Sequence, residues 1–523
     1  MSIGSAAESR SLKQRAIAAL KWNYLGTMVR TSCGLLIGIV LARVLGPTPF
    51  GEIAIAGLVI GLGNLMADFG FGAALIQPKE ISDEEIRFAF SVQVILGALL
   101  SFGGFCTSGL IAQAFHQPHV APVLRVLMLT FVLQSIGLTA SSLLARQLAF
   151  KTVQTIQVGS YIVGYLTLGI PMSYLGFGVW SLVAAQIMQT MLNAALLYNA
   201  SRHPIAPLLS RRYGRLVGFS GKVIGSSLVN WTIFNLDTAI AGRCFGVFDL
   251  GLYNRAFFSA TMPVNGVVIG LQQVLFSGTA RVQNEPEKLK RVYLGALAIM
   301  SLLTVPMFSA IAVSPTTILT ALYGRQWTSA APFLSAFAVA MPAYATLALA
   351  GPFLWGAGRV GSELRAELVV LIAAIGAFTT AYRISLQALA WSVAAIYFLR
   401  FVLVTRALLG VLFISWSEIL KAMRGSAVLG LFTGVGTLLV DRSLQRLAAG
   451  AVSRLCADIL MGGTIVVIGL AVQRRALLGD DAEWLLKNFS GNLPAFLRWF
   501  SPFFRPAAVV TELSVPTGDS HDR

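Results

Sequence analysis

The stretch ARVLGPTPFGEIAIA at residues 42–56 is echoed 200 positions later by GRCFGVFDLGLYNRA at 242–256. Arg43, Gly46 and Gly51 align with Arg243, Gly246 and Gly251. In each copy the arginine closes a long apolar run that holds an internal polar or charged residue, and a second apolar run follows. A whole unit is therefore duplicated, which implies two homologous lobes.

Composition says what kind of lobes these are. The chain has 523 residues, of which 56% are hydrophobic and only 12% charged, with a mean hydropathy of +0.75. Soluble domains are roughly half apolar and about a quarter charged. A bilayer core needs about 20 apolar residues per helix. Segments near 22–45, 51–77, 88–115, 120–145, 155–175, 178–200, 217–245, 251–278, 292–314, 331–356, 362–381, 384–408, 425–443 and 450–473 qualify. The expected fold is an all-α polytopic membrane protein of about 14 transmembrane helices. A transmembrane barrel would need alternating ten-residue strands instead.

The net charge of +17 does not point to nucleic acid, because the basic residues flank apolar runs. With the N-terminus inside, the inner loops hold Lys79 and Arg87, Arg146 and Lys151, the cluster Arg202, Arg211, Arg212 and Arg215, and further pairs onward to Lys421 and Arg424. The loops at 46–50, 175–178 and 246–250 hold no Lys or Arg. This asymmetry predicts that both termini are cytoplasmic. The basic N-terminal segment lacks the apolar core and cleavage site of a signal peptide. Six helices per unit is an even number, so the two repeats run parallel, related by an axis along the membrane normal.

The expected organisation is a cytoplasmic segment at 1–21, an N-lobe at 22–200, a basic cytoplasmic linker at 201–216 and a C-lobe at 217–408. Two additional helices at 409–473 and a cytoplasmic tail at 474–523 complete it. Within the tail, Glu483 to Arg505 interleaves Trp484, Phe489, Trp499, Phe500 and Phe503 with basic residues, the pattern of an interfacial segment. The scattered cysteines Cys33, Cys106, Cys244 and Cys456 make neither a disulfide frame nor a zinc site. His116 and His119, in the loop HQPH, have no carboxylate or cysteine nearby in sequence and receive no role. No cofactor and no metal are expected.

The chemistry lies in ionisable residues inside apolar runs: Arg30, Asp68, Lys222, Asp237, Arg255 and Arg400. Each would cost about 2.5 to 3.5 kcal/mol at the bilayer centre on insertion scales, so an aqueous cavity or mutual pairing is expected. Five of the six fall in the first two helices of each lobe. Cationic members suit an anion, since guanidinium forks bind phosphate oxygens bidentately. The candidate substrate-binding residues are Arg30, Arg255, Lys222, Arg43, Arg243, Asn230 and Asn254, and Asp68 and Asp237 are ion-coupling candidates. A purely structural reading stays open: Asp68 pairs with Arg30 or Arg43, Asp237 pairs with Lys222 or Arg255, and Arg43 and Arg243 snorkel to the interface. Arg400 reads as an end-of-helix anchor.

ARVLGPTPFGEIAIA at 42–56, LMADFGFGAALIQ at 65–77, YLGFGVWSLVAAQ at 174–186, GVFDLGLYNRAFFSATMPVNGV at 246–267 and LYGRQWTSAAPFLSAF at 322–337 together make the chain, from about residue 18 to 475, resemble one family. It is similar to the polysaccharide transporters, Wzx-like flippases of the multidrug/oligosaccharidyl-lipid/polysaccharide exporter superfamily. The resemblance implies two six-helix lobes around a central cavity plus two C-terminal helices. It implies translocation of undecaprenyl-diphosphate-linked oligosaccharides across the bacterial inner membrane, without enzymatic chemistry, for exopolysaccharide, capsule or O-antigen synthesis. Membrane lipids and, as candidate partners, polymerase and export machinery belong to the same implication. Arg30 and Arg255 are the best positional carry-overs. The chain departs from the family pattern in reading Val274-Leu275-Phe276-Ser277-Gly278 where a proline-containing stretch is usual. The competing functions are a cation-coupled drug exporter, which wants an acidic cavity, and a polytopic polymerase or ligase, which wants a long outward loop.

Overall fold

The computed structural model describes residues 3–67, 75, 81–210, 221–282, 285–356 and 360–489, and among them all regular structure is helical. Fourteen long helical segments follow one another: α1 (Ile3–Leu45), α2 (Pro47–Ala67), α3 (Asp83–Ala114), α4 (Ala121–Arg146), α5 (150–174), α6 (Val179–Ser201), α7 (Gly221–Cys244), α8 (Val247–Val282), α9 (Pro286–Val313), α10 (Ala331–Gly356), α11 (Val360–Ala381), α12 (Leu386–Leu412), α13 (Trp416–Arg446) and α14 (Ala451–Phe489). Among the described residues 11 helices are long and apolar enough to cross a membrane. The remaining three segments are α7, α8 and α5, which a π-helical turn at Tyr165–Gly169 divides.

Helix starts follow local chemistry. Ser82 caps α3 by accepting from Glu85 N (3.2 Å), while the Glu85 carboxylate accepts from Ser82 N (2.9 Å). Ser415 and Glu418 repeat this reciprocal cap on α13. Each such box satisfies two backbone donors that a helix start leaves orphaned.

The duplication read from the sequence is visible in the packing. α3 packs on α4, α4 on α6, α5 on α6 and α1 on α5; six helices later α9 packs on α10, α10 on α12, α11 on α12 and α7 on α11. The lobes meet chiefly through α2 and α8. α13 and α14 pack on each other and on α9, outside the two six-helix sets. Close backbone approach requires glycine here: a Cβ on Gly425 would stand 2.5 Å from Leu477 O, and one on Gly295 2.6 Å from Asp481 O.

Two end regions differ from expectation. α14 does not stop near 473: it breaks at Gln473 and Gly479 and then runs on as helix to Phe489. That continuation buries Leu477, Leu478, Leu485 and Leu486, and Asp481 pairs with Arg291 at 3.0 Å. The aromatic stretch past Phe489 lies outside the described residues. At the linker, residues 202–210 are pinned to α3, since Arg87 Nε donates to Ala206 O (3.0 Å) and Leu208 N donates to Ser91 Oγ (2.9 Å). His203 is buried between Phe90 and Tyr198, and burial pushes its imidazole pKa down.

Candidate functional site

The echoed residues assemble at one place, the end of the lobe interface where α1 turns into α2 and α7 into α8. Gly51 of α2 lies against Val247 of α8, and Gly251 of α8 lies against Pro47 of α2, so closely that a Cβ on either glycine would overlap the opposite carbonyl oxygen. The arginines mirror one another in the same way. Arg43 reaches from α1 to the end of the short helix Pro315–Tyr323 in the other lobe, where Nε donates to Leu322 O (2.7 Å) and Nη2 to Ala321 O. Arg243 reaches from α7 to the end of α3 and donates to Ala114 O. Each guanidinium thus caps carbonyls that a helix C-terminus leaves without intrahelical donors, a favourable place for a cation.

The connections beyond these helix ends complete the match. Gln326 Nε2 donates to Arg43 O (2.9 Å) and to Ala42 O (3.0 Å), and Trp327 Nε1 donates to Ala42 O (2.9 Å). In the other half, His116 Nδ1 donates to Arg243 O (3.3 Å), which fixes the protonated ring nitrogen. His116, given no role from sequence, is therefore the counterpart of Gln326. Its neighbour His119 faces Glu52 across 3.6 Å. The result is a two-fold clasp holding these ends of both lobes together.

Just inside the clasp sits Arg255. It is 5% exposed, and its guanidinium carbon stacks 4.2 Å from the Tyr323 ring and 5.1 Å from those of Phe50 and Phe258. Tyr323 is itself held by Ser259 Oγ at 3.0 Å. Gly38 of α1 leaves room for it, since a Cβ there would stand 3.1 Å from Nη2. Three rings hold the cation by its face, yet Nε and Nη2 have no hydrogen-bond partner. A buried guanidinium with two idle donor nitrogens has hydrogen bonds left to give, and its fork matches the geometry of an anionic group. Arg30 lies eight residues before Gly38 on α1, about 12 Å along the helix and away from the clasp, and its side chain is exposed.

The other expected residues separate from this pocket. Asp237 is 3% exposed and takes a hydrogen bond from Tyr253 (2.7 Å); among the described residues it forms no ion pair, so the expected pairing with Arg255 is absent. Asn230 is engaged by Arg400, whose Nη2 donates to its Oδ1 (2.9 Å). Asn254 is half-buried on α8. Asp68 and the side chain of Lys222 lie outside the described residues.

Arg400 corrects the anchor reading. It is 8% exposed within α12, bonded through Nε (3.0 Å) and Nη2 (2.6 Å) to Glu367 of α11, with Phe234 stacked at 5.2 Å. Glu367 was missed from sequence. A carboxylate inside the apolar run 362–381 was the available signal, hidden by the neighbouring charges Glu363 and Arg365 at the start of the same helix.

These features match known proteins. The sequence profile of a family described as polysaccharide biosynthesis protein matches residues 40–332. Lipopolysaccharide biosynthesis protein WzxC of Escherichia coli (strain K12) is 25% identical over 344 residues, covering 63% of this chain and 67% of that protein. Succinoglycan biosynthesis transport protein ExoT of Rhizobium meliloti (strain 1021) is 26% identical, covering 65% and 68%. Teichuronic acid biosynthesis protein TuaB of Bacillus subtilis (strain 168) is 23% identical over 86% of this chain and 94% of its own. Among solved structures, the inward closed conformation of the lipid II flippase MurJ shares the fold with a TM-score of 0.69 at 12% identity, covering 87% of this chain and 99% of its own. An inward-facing MATE family transporter of the MOP superfamily follows at 0.55 and 14%, covering 74% and 99%. The apolar helices, the duplicated lobes and the match over more than half of its length make this chain a member of the polysaccharide biosynthesis protein family.

Proposed function

We propose that this chain is a flippase of the bacterial inner membrane that moves undecaprenyl-diphosphate-linked oligosaccharides from the cytoplasmic to the outer leaflet by alternating access, with both termini cytoplasmic and with lobes at 22–200 and 217–408. The observation that carries this reading is Arg255: a cation buried between the lobes, braced by aromatic rings, with donors left over for a diphosphate. Arg30, exposed on the inner part of α1, adds a second cation on the entry side. The named activities of the relatives, lipopolysaccharide biosynthesis, succinoglycan transport and teichuronic acid biosynthesis, all concern surface polysaccharides. The polyprenyl tail stays in lipid while the headgroup crosses between the lobes, and the Arg43 and Arg243 clasp keeps the outer end shut until the headgroup is bound.

The test is export. R30A and R255A are placed in a strain lacking the native copy, protein levels are checked by immunoblot, and surface polysaccharide is quantified. A loss of at least tenfold is expected for R255A, with partial retention in R255K, which keeps the charge but not the fork. Undiminished export in R255A at normal protein level refutes the anion-site reading.

A further inference from the structure

The helices outside the lobes hold a second polar site, at their outer ends. Thr433, Thr437 and Asp441 are four residues apart and share one face of α13; Arg454, Asp458 and Gly462 do the same on α14. Two contacts fix the antiparallel register. Arg454 Nη2 lies 2.8 Å from Asp441 Oδ1, and a Cβ on Gly462 would stand 3.4 Å from Thr433 Cγ2 and 4.0 Å from Thr437 Oγ1. Asp458 therefore faces the stretch between Thr437 and Asp441.

Three buried oxygens on this seam, both carboxylate oxygens of Asp458 and Oγ1 of Thr437, accept no hydrogen bond of sound geometry; the Ser314 hydroxyl lies beside Asp458 but gives its proton to Ala310 O (3.0 Å). Asp458 is 4% exposed and Thr437 0%. Helical threonines ordinarily bond their hydroxyl to the carbonyl one turn back, as Thr433 does to Leu429 O at 2.8 Å. Thr437 does not. Asp441 Oδ1 by contrast is saturated, accepting from Arg454 Nε (2.9 Å), Arg454 Nη2 (2.8 Å) and Thr317 Oγ1 (2.7 Å). The charges facing the seam are Asp441, Asp458 and Arg454, with the hydroxyls of Ser314 and Thr317 on the C-lobe side. Two carboxylates against one guanidinium leave one negative charge unbalanced in a site closed to solvent, where a lone carboxylate is costly.

We propose that the outer end of the α13–α14 seam binds one monovalent cation, a proton or a sodium ion, on Asp458 with Thr437 and Ser314 as neutral oxygen ligands. Oxygen-only surroundings suit a hard cation, and among the described residues no group of three His, Cys, Asp or Glu side chains stands ready for a multivalent metal. The site has a mechanical neighbour. Thr317 lies in the first turns of the Pro315–Tyr323 helix, whose last carbonyls, those of Ala321 and Leu322, take the Arg43 clasp. Cation occupancy acts on one end of a strut whose other end closes the lobes; this link, unlike the binding itself, rests on the proposed transport cycle.

The binding is tested without any lipid-linked substrate, so its outcome is independent of the flippase reading. Purified full-length protein in lipid nanodiscs is titrated with radiolabelled Na+ at several pH values, and carboxyl protonation is followed by infrared difference spectroscopy. A sodium site binds one ion per chain with affinity weakening up to tenfold per pH unit as Asp458 protonates; a proton site shows no sodium binding and one buried carboxyl band that titrates. Asp458→Asn abolishes whichever signal is present, and Thr437→Val weakens or shifts it. If Asp458→Asn fails to give monodisperse protein, Thr437→Val and Ser314→Ala decide. Sodium binding and carboxyl bands that are unchanged in these variants overturn the proposal.

Discussion

Removing both clasp arginines should open the clasped end of the lobe interface. Arg43 makes two bonds to helix-end carbonyls and Arg243 one, all from charged donors. Such bonds are worth about 1.5–3 kcal/mol when buried, but both side chains are exposed, so about 1 kcal/mol per arginine is the reasonable share left after screening. The two sites lie in opposite lobes and share no partner, which makes their effects additive. The double variant R43A/R243A then loses about 2 kcal/mol, a shift of about 30-fold in the open-to-closed ratio. A resting ratio of about 99 closed to 1 open would fall to about 3 to 1. Spin labels at Thr48 and Phe248, on the outer ends of α2 and α8, report the ratio by pulsed dipolar spectroscopy in a cysteine-free background. The single variants should each shift it about fivefold. Distance distributions that superimpose for the wild type and the double variant would refute the clasp; a shift in only one single variant would refute its symmetry.

Other consequences follow from named contacts. Gly51→Val and Gly251→Val each place atoms where a facing carbonyl already lies, so both should hold the outer ends apart, and the same labels should report an enlarged separation of similar size in the two variants. Glu367→Gln leaves the Arg400 charge buried without its counter-ion, a loss of about 3–5 kcal/mol, visible as a lower thermal midpoint in detergent; Glu367→Leu with Arg400→Leu should recover much of it. His203 is held neutral by burial, so its folded pKa lies below the unfolded value of about 6.5. The unfolded form therefore binds more protons in that window, and the anchorage of 202–210 is complete above about pH 6.5 and is lost as pH falls. Hydrogen exchange at Leu208 N should quicken on acidification in the wild type and be insensitive to pH, beyond the intrinsic rate, in His203→Phe.

The fold was legible because its signals are local: apolar run length, loop charge and an arginine-glycine spacing repeated at 200 residues. The partners of those residues were not, because they are remote. Arg43 meets carbonyls 278 and 279 positions away, and Arg243 meets one 129 positions away. Backbone carbonyls are present everywhere and leave no mark in a sequence, so the arginines read as snorkelling or substrate-binding. His116 was passed over for the same reason: a search for metal ligands asks which side chains are near, and its partner is main chain. Arg400 read as an anchor because its carboxylate stands 33 residues off on another helix. Arg255 was legible as a cation in a span, but its aromatic surroundings come from three separate elements.

The sharpest lesson lies where the copies differ. At the same offset of 200, Ile37 answers Asp237, Ile53 answers Tyr253, Ala54 answers Asn254 and Ile55 answers Arg255. Ile37 packs with Leu41 and Leu182, and Ile55 is fully buried in an apolar cluster, whereas Asp237 and Tyr253 bond to each other and Arg255 stands with idle donors. Symmetric residues thus close the clasped end, and asymmetric ones furnish the space just behind it. A symmetric clasp lets two lobes part by one motion, which a single set of contacts on one side would not guarantee. On the proposed function, a single cationic pocket, on α8 and not on α2, gives an anionic headgroup one binding orientation instead of two. Moving Arg255 to the pseudo-equivalent site, as I55R with R255I, keeps charge and architecture yet inverts that orientation; export should fall as far as in R255A, although the number of cations is unchanged.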